Sequence, residues 1–144
     1  MNVGIIPARL HSTRFPKKIL SDINGKPMVI HTAMQAQKSK KLDRIIIAID
    51  DDETFEKISG FNFEVIMTSK NHKSGTDRVA EVVKNIENVD VVVNIQADEP
   101  FIDPILIDLL VESFKDKNIH MSTLVSTKLS LGDLEDSSIV KAFI

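Results

Sequence analysis

The 144-residue sequence contains no cysteine. This absence excludes disulfide bonds, thiolate metal sites and a cysteine nucleophile. No apolar run approaches the length of a membrane span, and no pattern typical of a signal peptide is present at the amino terminus. A net charge of −3 gives no sign of a general nucleic-acid-binding protein. The sequence therefore predicts a soluble cytoplasmic protein that acts on neither nucleic acid nor membrane.

Short apolar runs alternate with amphipathic stretches along the chain, which is typical of an α/β domain. The β-branched runs are continuous, and this indicates parallel strands covered on both faces. Short links between them favour a doubly wound, mostly parallel, Rossmann-like sheet in one nucleotide-binding domain over residues 1–144. The predicted strands are Val3–Ile6, Arg44–Ile49, Phe63–Met67 and Val89–Ile95, with further, antiparallel additions at His120–Thr127 and Ile139–Ile144. The predicted helices are Pro27–Gln37, Asp51–Ile58, Thr76–Ile86 and Pro104–Phe114.

Four cations lie in the connection that follows the first predicted strand: Arg9, Arg14, Lys17 and Lys18. In an α/β domain this connection opens at the carboxyl edge of the sheet, where ligands bind. Arginine and lysine there suit a triphosphate, because one offers forked donors and the other a compact charge. No glycine lies between Ile6 and Lys18, so the segment would hold phosphate through side chains. The alternative is an ordinary solvated basic loop.

Two carboxylates, Asp98 and Glu99, follow the fourth predicted strand, which we expect beside the first. Carboxylates at that edge can hold Mg²⁺, which takes one or two protein oxygens together with phosphate oxygens and water. Alternatively they are turn residues before a helix, although Asp103 and Pro104 already supply the helix start. Asp98 is the stronger metal candidate of the two.

The segment Ser74–Arg78 is predicted to open a helix, and capping by Ser74 and Asp77 explains it most simply. The free N–H groups of such a helix start could also read the edge of a base or an anion. Gly75 would let a flat ligand approach closely. The acidic run Asp50–Glu53 is interpreted as a favourable charge at a helix start rather than a metal site.

Three motifs follow one another along the chain: the basic connection, the segment Ser74–Arg78, and the carboxylates Asp98 and Glu99. In this order they resemble the 3-deoxy-manno-octulosonate cytidylyltransferase (CMP-Kdo synthetase) family over Val3 to about Ala142. The resemblance rests on the segment from Ile6 to Lys18, the stretch Asp22–Met28, Met67-Thr68, the stretch His72–Arg78 and the run Asn94–Pro100. It implies transfer of a cytidylyl group from CTP to the keto-sugar acid Kdo. CMP-Kdo and pyrophosphate would be the products, in lipopolysaccharide biosynthesis, with Mg²⁺ as cofactor.

The resemblance also implies roles for individual residues. Arg9 and Lys18 would hold the triphosphate, Ser12 would shape their segment, and Asp98 would bind Mg²⁺. The other implied nucleotide-binding residues are Pro7, Ala8, Thr68, Ser74, Gly75, Thr76, Arg78 and Gln96.

Two residues, Lys17 and Ala97, stand where this family commonly has glycine. If position 97 needs a positive φ, its methyl group would cost stability or shift Asp98. The apolar end Val140–Ile144 is unusual for an exposed terminus. Members of the family are longer, so we expect a carboxyl-terminal part with the sugar pocket, a second metal carboxylate and homodimer contacts to be missing here. Two alternatives stay open: a catalytically incomplete CTP-binding module, and a cytidylyltransferase for another keto-sugar acid.

Overall fold

A four-stranded parallel sheet forms the centre of the computed structural model, which describes residues 1–11, 16–126, 128 and 130–136. Its strands are β1 (Asn2–Ala8), β4 (Arg44–Ile49), β5 (Glu64–Met67) and β6 (Val91–Asn94), in the order β5-β4-β1-β6. The chain winds outward from β1 to β5 and then crosses to the other side of β1 to form β6. This reversal defines a doubly wound sheet and confirms the predicted fold class.

Helices cover both faces of this sheet. They are α1 (Met28–Ala36), α2 (Asp52–Ile58), α3 (Gly75–Val83) and α4 (Pro104–Ser113), and a fifth helix, α5 (Leu131–Glu135), follows them in the chain. One core packs α1, α2 and α4 against side chains such as Ile6 and Ile47. The other packs α3, through Val79 and Val82, against the opposite face. Both faces are therefore buried, as the continuous apolar runs predicted.

A small hairpin interrupts the connection between β1 and α1. Its strands are β2 (Asp22–Ile23) and β3 (Lys26–Pro27), and the 3₁₀ helix Lys18–Leu20 precedes it. The turn residues Asn24 and Gly25 both have positive φ angles, of 50° and 82°, as tight two-residue hairpin turns require. The carbonyl oxygen of Ile23 is hydrogen-bonded to His31 Nε2 at 2.7 Å, which fastens the hairpin to α1.

The strand predicted at His120–Thr127 is wrong over residues 120–126, which form no regular element. The described residues place no strand beside the outer edge of β6, and Met121 is 87% exposed. Strand propensity needs a paired neighbour to take effect, which explains the difference. Position 127 and the predicted strand Ile139–Ile144 lie outside the described residues. Within the described part of the chain, no helix is long and apolar enough to cross a membrane.

Candidate nucleotide site

The first part of the site is an ion pair between the basic and the acidic segments. β1 and β6 are direct neighbours, and the strand order reverses between them. At their carboxyl ends, Lys18 Nζ lies 2.7 Å from Asp98 Oδ2. The two side chains are 42% and 44% exposed, so solvent and ligands can reach both. Two groups that are 80 residues apart in sequence thus meet at the point where α/β sheets bind ligands.

The backbone of Lys17 sets the start of the short helix that carries Lys18. Its φ of 56° and ψ of 25° are left-handed, a conformation that glycine adopts most easily. Lys17 N–H donates to the carbonyl of Leu10 at 3.1 Å, and Lys17 Nζ pairs with Glu53 at 2.7 Å. The left-handed backbone explains why the family that the sequence resembles commonly has glycine at position 17. It also separates the partners of the two neighbouring lysines: Lys17 binds α2, whereas Lys18 binds Asp98.

The segment that carries Asp98 is held by buried hydrogen bonds. Ile95 N–H donates to Ile5 O at 2.9 Å, and Thr32 Oγ1 on α1 donates to Ala97 O at 3.0 Å. Ala97 has no positive φ, so the expected strain at this position is absent and the alanine fits without displacing Asp98. Gln96 is exposed beside it, with its amide 3.4 Å from Asn94 Oδ1.

The second part of the site is a cleft of about 80 Å³ between the end of β1 and the start of α3. Gly75 permits the close packing here, because a Cβ atom on it would lie 3.2 Å from Pro7 Cγ. Ser74 and Asp77 form the predicted capping box. The residues that line the cleft are Pro7, Arg9, His72, Lys73, Ser74, Gly75 and Arg78. Five of these seven are among the predicted nucleotide-binding residues, whereas His72 and Lys73 were given no such role.

The remaining predicted residues have different surroundings. Ala8 is buried at the end of β1, Thr68 is buried after β5, and Thr76 is exposed in the first turn of α3. None of the three lines the cleft. Ser12 and Arg14 lie outside the described residues.

Beneath the cleft lies a buried ion pair that the sequence did not reveal. Arg78 is only 1% exposed, and its Nη2 lies 2.9 Å from Asp50 Oδ2. Arg78 Nη1 also donates to Thr68 Oγ1. The interpretation of Asp50 as a helix-start charge is therefore wrong, because Asp51 is the N-cap of α2 and Asp50 points into the core. One signal in the sequence could have indicated the buried pair: Asp50 lies between the buried strand that ends at Ile49 and Asp51, which already caps the helix.

A partly buried His–Glu pair flanks the same cleft. The side chain of Glu81 accepts from His72 Nε2 and, at 3.0 Å, from the backbone N–H of Ser69. The bond from His72 is the main reason why the pKa of Glu81 lies below its ordinary value. Among the described residues, no group of three or more His, Asp and Glu side chains could hold a metal ion. Mg²⁺ does not need such a group, because it takes one or two protein oxygens when phosphate and water supply the other ligands.

Fold and site together define a nucleotidyltransferase-type α/β domain. The structure is similar to that of CMP:2-keto-3-deoxy-manno-octonic acid synthetase complexed with CTP, with a TM-score of 0.77 and 38% identity. That match covers 81% of this chain and 48% of the other. A cytidylyltransferase from Leptospira borgpetersenii matches with a TM-score of 0.68 and 26% identity, over 79% of this chain and 48% of the other.

The sequence model of the cytidylyltransferase family matches residues 3–142, and the chain belongs to that family. It is 43% identical over 145 residues to the 3-deoxy-manno-octulosonate cytidylyltransferase of Syntrophobacter fumaroxidans, covering 99% of this chain and 58% of the relative. The enzyme of the same name from Geobacter sulfurreducens is 41% identical, over 98% of this chain and 57% of the relative. The resemblance seen in the sequence is confirmed, and the chain spans a little over half the length of these relatives.

Proposed function

We propose that this protein transfers a cytidylyl group from CTP to 3-deoxy-manno-octulosonate, giving CMP-Kdo and pyrophosphate for lipopolysaccharide biosynthesis. The observation that carries the proposal is the Lys18–Asp98 pair at the reversal point of the sheet, at the same edge as a cleft lined by Arg9. The names of the curated relatives, and the CTP held by the similar solved structure, support the choice of reaction.

Binding of the nucleotide would divide between the two parts of the site. Lys18 and Arg9 would bind the triphosphate, because Arg9 is exposed and the half-buried Lys18 keeps 42% of its side chain exposed at the carboxyl edge of the sheet. The cleft at Ser74 and Gly75 would receive the cytidine, with free N–H groups of α3 within its first turn. Gln96 is exposed just after β6, two residues before Asp98, and would contact the nucleotide.

Asp98 would hold Mg²⁺. Its carboxylate is 44% exposed, so it is open to a metal that shares its coordination between one or two protein oxygens, phosphate and water. When bound, Mg²⁺ would offset negative charge on the phosphate oxygens. Lys18 would then exchange Asp98 for a phosphate oxygen, an exchange that exposed partners allow.

The reaction requires a hydroxyl oxygen of the sugar acid to bond to the α-phosphorus while the bond to pyrophosphate breaks. The hydroxyl proton passes to solvent, and pyrophosphate carries away the electron pair of the broken bond. Little covalent chemistry is asked of the protein in such transfers. Arg9 and Lys18 would act by holding the phosphates in line and by stabilising charge on the leaving group.

Release of pyrophosphate from CTP tests the proposal. The purified chain is incubated with CTP and Mg²⁺, with and without Kdo, and pyrophosphate and CMP-Kdo are measured. We expect Kdo-dependent release that stops when EDTA removes the metal. Binding of CTP without any release would instead favour a CTP-binding module, an alternative that the chain's coverage of only 58% of its relative's length supports. Absence of CTP binding would contradict both functions.

Competition among sugar acids decides the acceptor. Other keto-sugar acids are added to the same assay, and preference for one of them over Kdo would contradict this substrate. Cytoplasmic location and a homodimer stay predictions from the sequence.

A further inference from the structure

We propose that Asp50 is a positioning residue that fixes the backbone of Arg9 and Leu10, the Arg9 segment, for triphosphate binding. Arg78 serves as the buried counter-charge of Asp50. This inference rests on the proposed CTP binding. It assigns a role to a residue outside the cleft lining and changes the expected role of Arg78 from a nucleotide contact to an internal support.

The two oxygens of Asp50 hold different segments of the chain. Oδ1 accepts from the backbone N–H of Leu10 at 3.0 Å, and Oδ2 accepts from Arg78 Nη2 at 2.9 Å. Leu10 directly follows Arg9, so the first bond fixes the backbone from which the Arg9 side chain extends. Leu10 itself is 1% exposed, and its O also accepts from Lys17 N. Asp50 thus anchors Leu10, and Leu10 in turn accepts from Lys17 at the start of the short helix that carries Lys18.

Arg78 makes this arrangement possible in a buried place. Asp50 is 5% exposed, and an isolated buried carboxylate would carry a large desolvation cost. The guanidinium supplies the compensating charge and a second donor. Its other nitrogen bonds Thr68 Oγ1, which donates in turn to Ile49 O at 2.6 Å. Since these N–H donors of Arg78 are hydrogen-bonded inside the protein, they are not available to the nucleotide. Arg78 therefore contributes less to nucleotide binding than its place in the motif suggests.

The network joins four segments at one edge of the sheet. The ends of β4 and β5, the turn after β1 and the helix α3 all meet at Asp50, Thr68, Leu10 and Arg78. Asp50 does not line the cleft itself, so a change there reaches Arg9 through the backbone of Leu10 and reaches the cleft through Arg78. Misplacement of a binding group by about 1 Å can cost orders of magnitude in rate.

Asp50→Asn is the test, because an amide has one acceptor oxygen for the two donors that Asp50 satisfies. Asp51→Asn is the matched control: it makes the same chemical change one residue away, at an N-cap that bonds Glu53 and Lys70. Dissociation constants for CTP and for CMP are measured by calorimetry with Mg²⁺ on the full chain, at a temperature where thermal melts show each variant folded. If Asp50→Asn melts too low, Asp50→Glu replaces it, since it keeps the charge but moves the oxygens from Leu10.

We expect Asp50→Asn to weaken CTP binding by about tenfold and CMP binding much less, because the β- and γ-phosphates depend on Arg9. Asp51→Asn should leave both constants unchanged. A general loss of folded protein would lower both affinities by the same factor. Equal losses for CTP and CMP, or no loss in a folded variant, would overturn the positioning role. Failure of the unmodified chain to bind CTP would overturn the proposed function itself, and the two failures are told apart by which protein shows them.

Discussion

Two cation–carboxylate pairs stand at the same edge of the sheet, and they differ in exposure far more than in length. Lys18–Asp98 is 2.7 Å long with side chains 42% and 44% exposed, whereas Arg78–Asp50 is 2.9 Å long with side chains 2% and 7% exposed. An exposed pair contributes little to stability and can exchange its partners for ligands. A buried pair is costly to break, because the remaining charge has no water to solvate it. The first pair is suited to chemistry and the second to support.

The largest effect should appear when the exposed pair is removed. We expect Lys18→Ala and Asp98→Asn each to lower turnover by about two orders of magnitude or more, since a charge-stabilising group is lost from the reacting phosphates. The melting temperature should hardly change, because an exposed pair is worth about 0–1 kcal/mol. Steady-state pyrophosphate release and thermal melts measure the two quantities on the same samples.

Glu64→Gln provides the control for these variants. Glu64 pairs with Arg44 at the opposite, amino-terminal side of the β4 strand, with a comparable exposure of 38%. Its removal should leave turnover unchanged. Full activity in Lys18→Ala would contradict the assignment of the exposed pair to the site.

Removal of the buried cation should give the reverse result, with a large effect on stability. We expect Arg78→Ala to lower the free energy of unfolding by about 3–5 kcal/mol, because Asp50 is left as an uncompensated buried charge. Arg44→Ala is the matched control and should cost about 0–1 kcal/mol, since the Arg44–Glu64 pair is exposed. Urea denaturation measures both. Equal losses in the two variants would show that burial does not distinguish the pairs.

The sequence predicted the exposed pair better than the buried one, for a physical reason. Lys18 and Asp98 lie in the connections that follow the neighbouring strands β1 and β6, so the topology rule brings both connections to one edge of the sheet. Asp50 also follows a strand, but its role depends on the side-chain direction of Arg78, which no periodicity encodes. The neighbouring residues Asp51–Glu53 do stabilise the helix start as predicted. The different role of Asp50 was therefore not visible from the acidic run.

The main fold was predictable because its signals are local. Buried parallel strands appear as continuous apolar runs, and the caps at Ser74 and Asp103 mark helix starts. The segment at residues 120–126 carries a strand-like pattern without a paired strand among the described residues, so its structure depends on contacts that the pattern does not specify. The left-handed backbone at Lys17 was indicated only by the glycine that the family commonly has there, since a lysine itself gives no sign of positive φ.

A change at Lys17 perturbs the start of the helix that carries Lys18 and leaves the buried Arg78–Asp50 pair in place. Lys17→Gly and Lys17→Ala both remove the ion pair with Glu53, but only alanine keeps a Cβ atom at a φ of 56°. We therefore expect the glycine variant to be more stable than the alanine variant by about 1 kcal/mol. Chemical denaturation of the two variants measures the difference. Greater stability of the alanine variant would show that the left-handed turn is not what position 17 requires.

The smallest effect should come from the pair of intermediate exposure, His72–Glu81, whose side chains are 21% and 36% exposed. The pKa of Glu81 is held below its ordinary value of 4.5, mainly by the bond from His72. A carboxyl whose pKa is lower in the folded than in the unfolded state stabilises the fold above the unfolded pKa. That contribution is lost as the pH falls through the folded pKa. We expect Glu81→Gln to lower the melting temperature near neutral pH and to flatten its decline as the pH falls below the ordinary pKa of 4.5. The exposed Glu56 on α2 supplies the control Glu56→Gln, which should leave the decline of the melting temperature at acid pH unchanged. An unchanged decline in Glu81→Gln would show that the His72–Glu81 pair contributes no more to stability than an exposed pair.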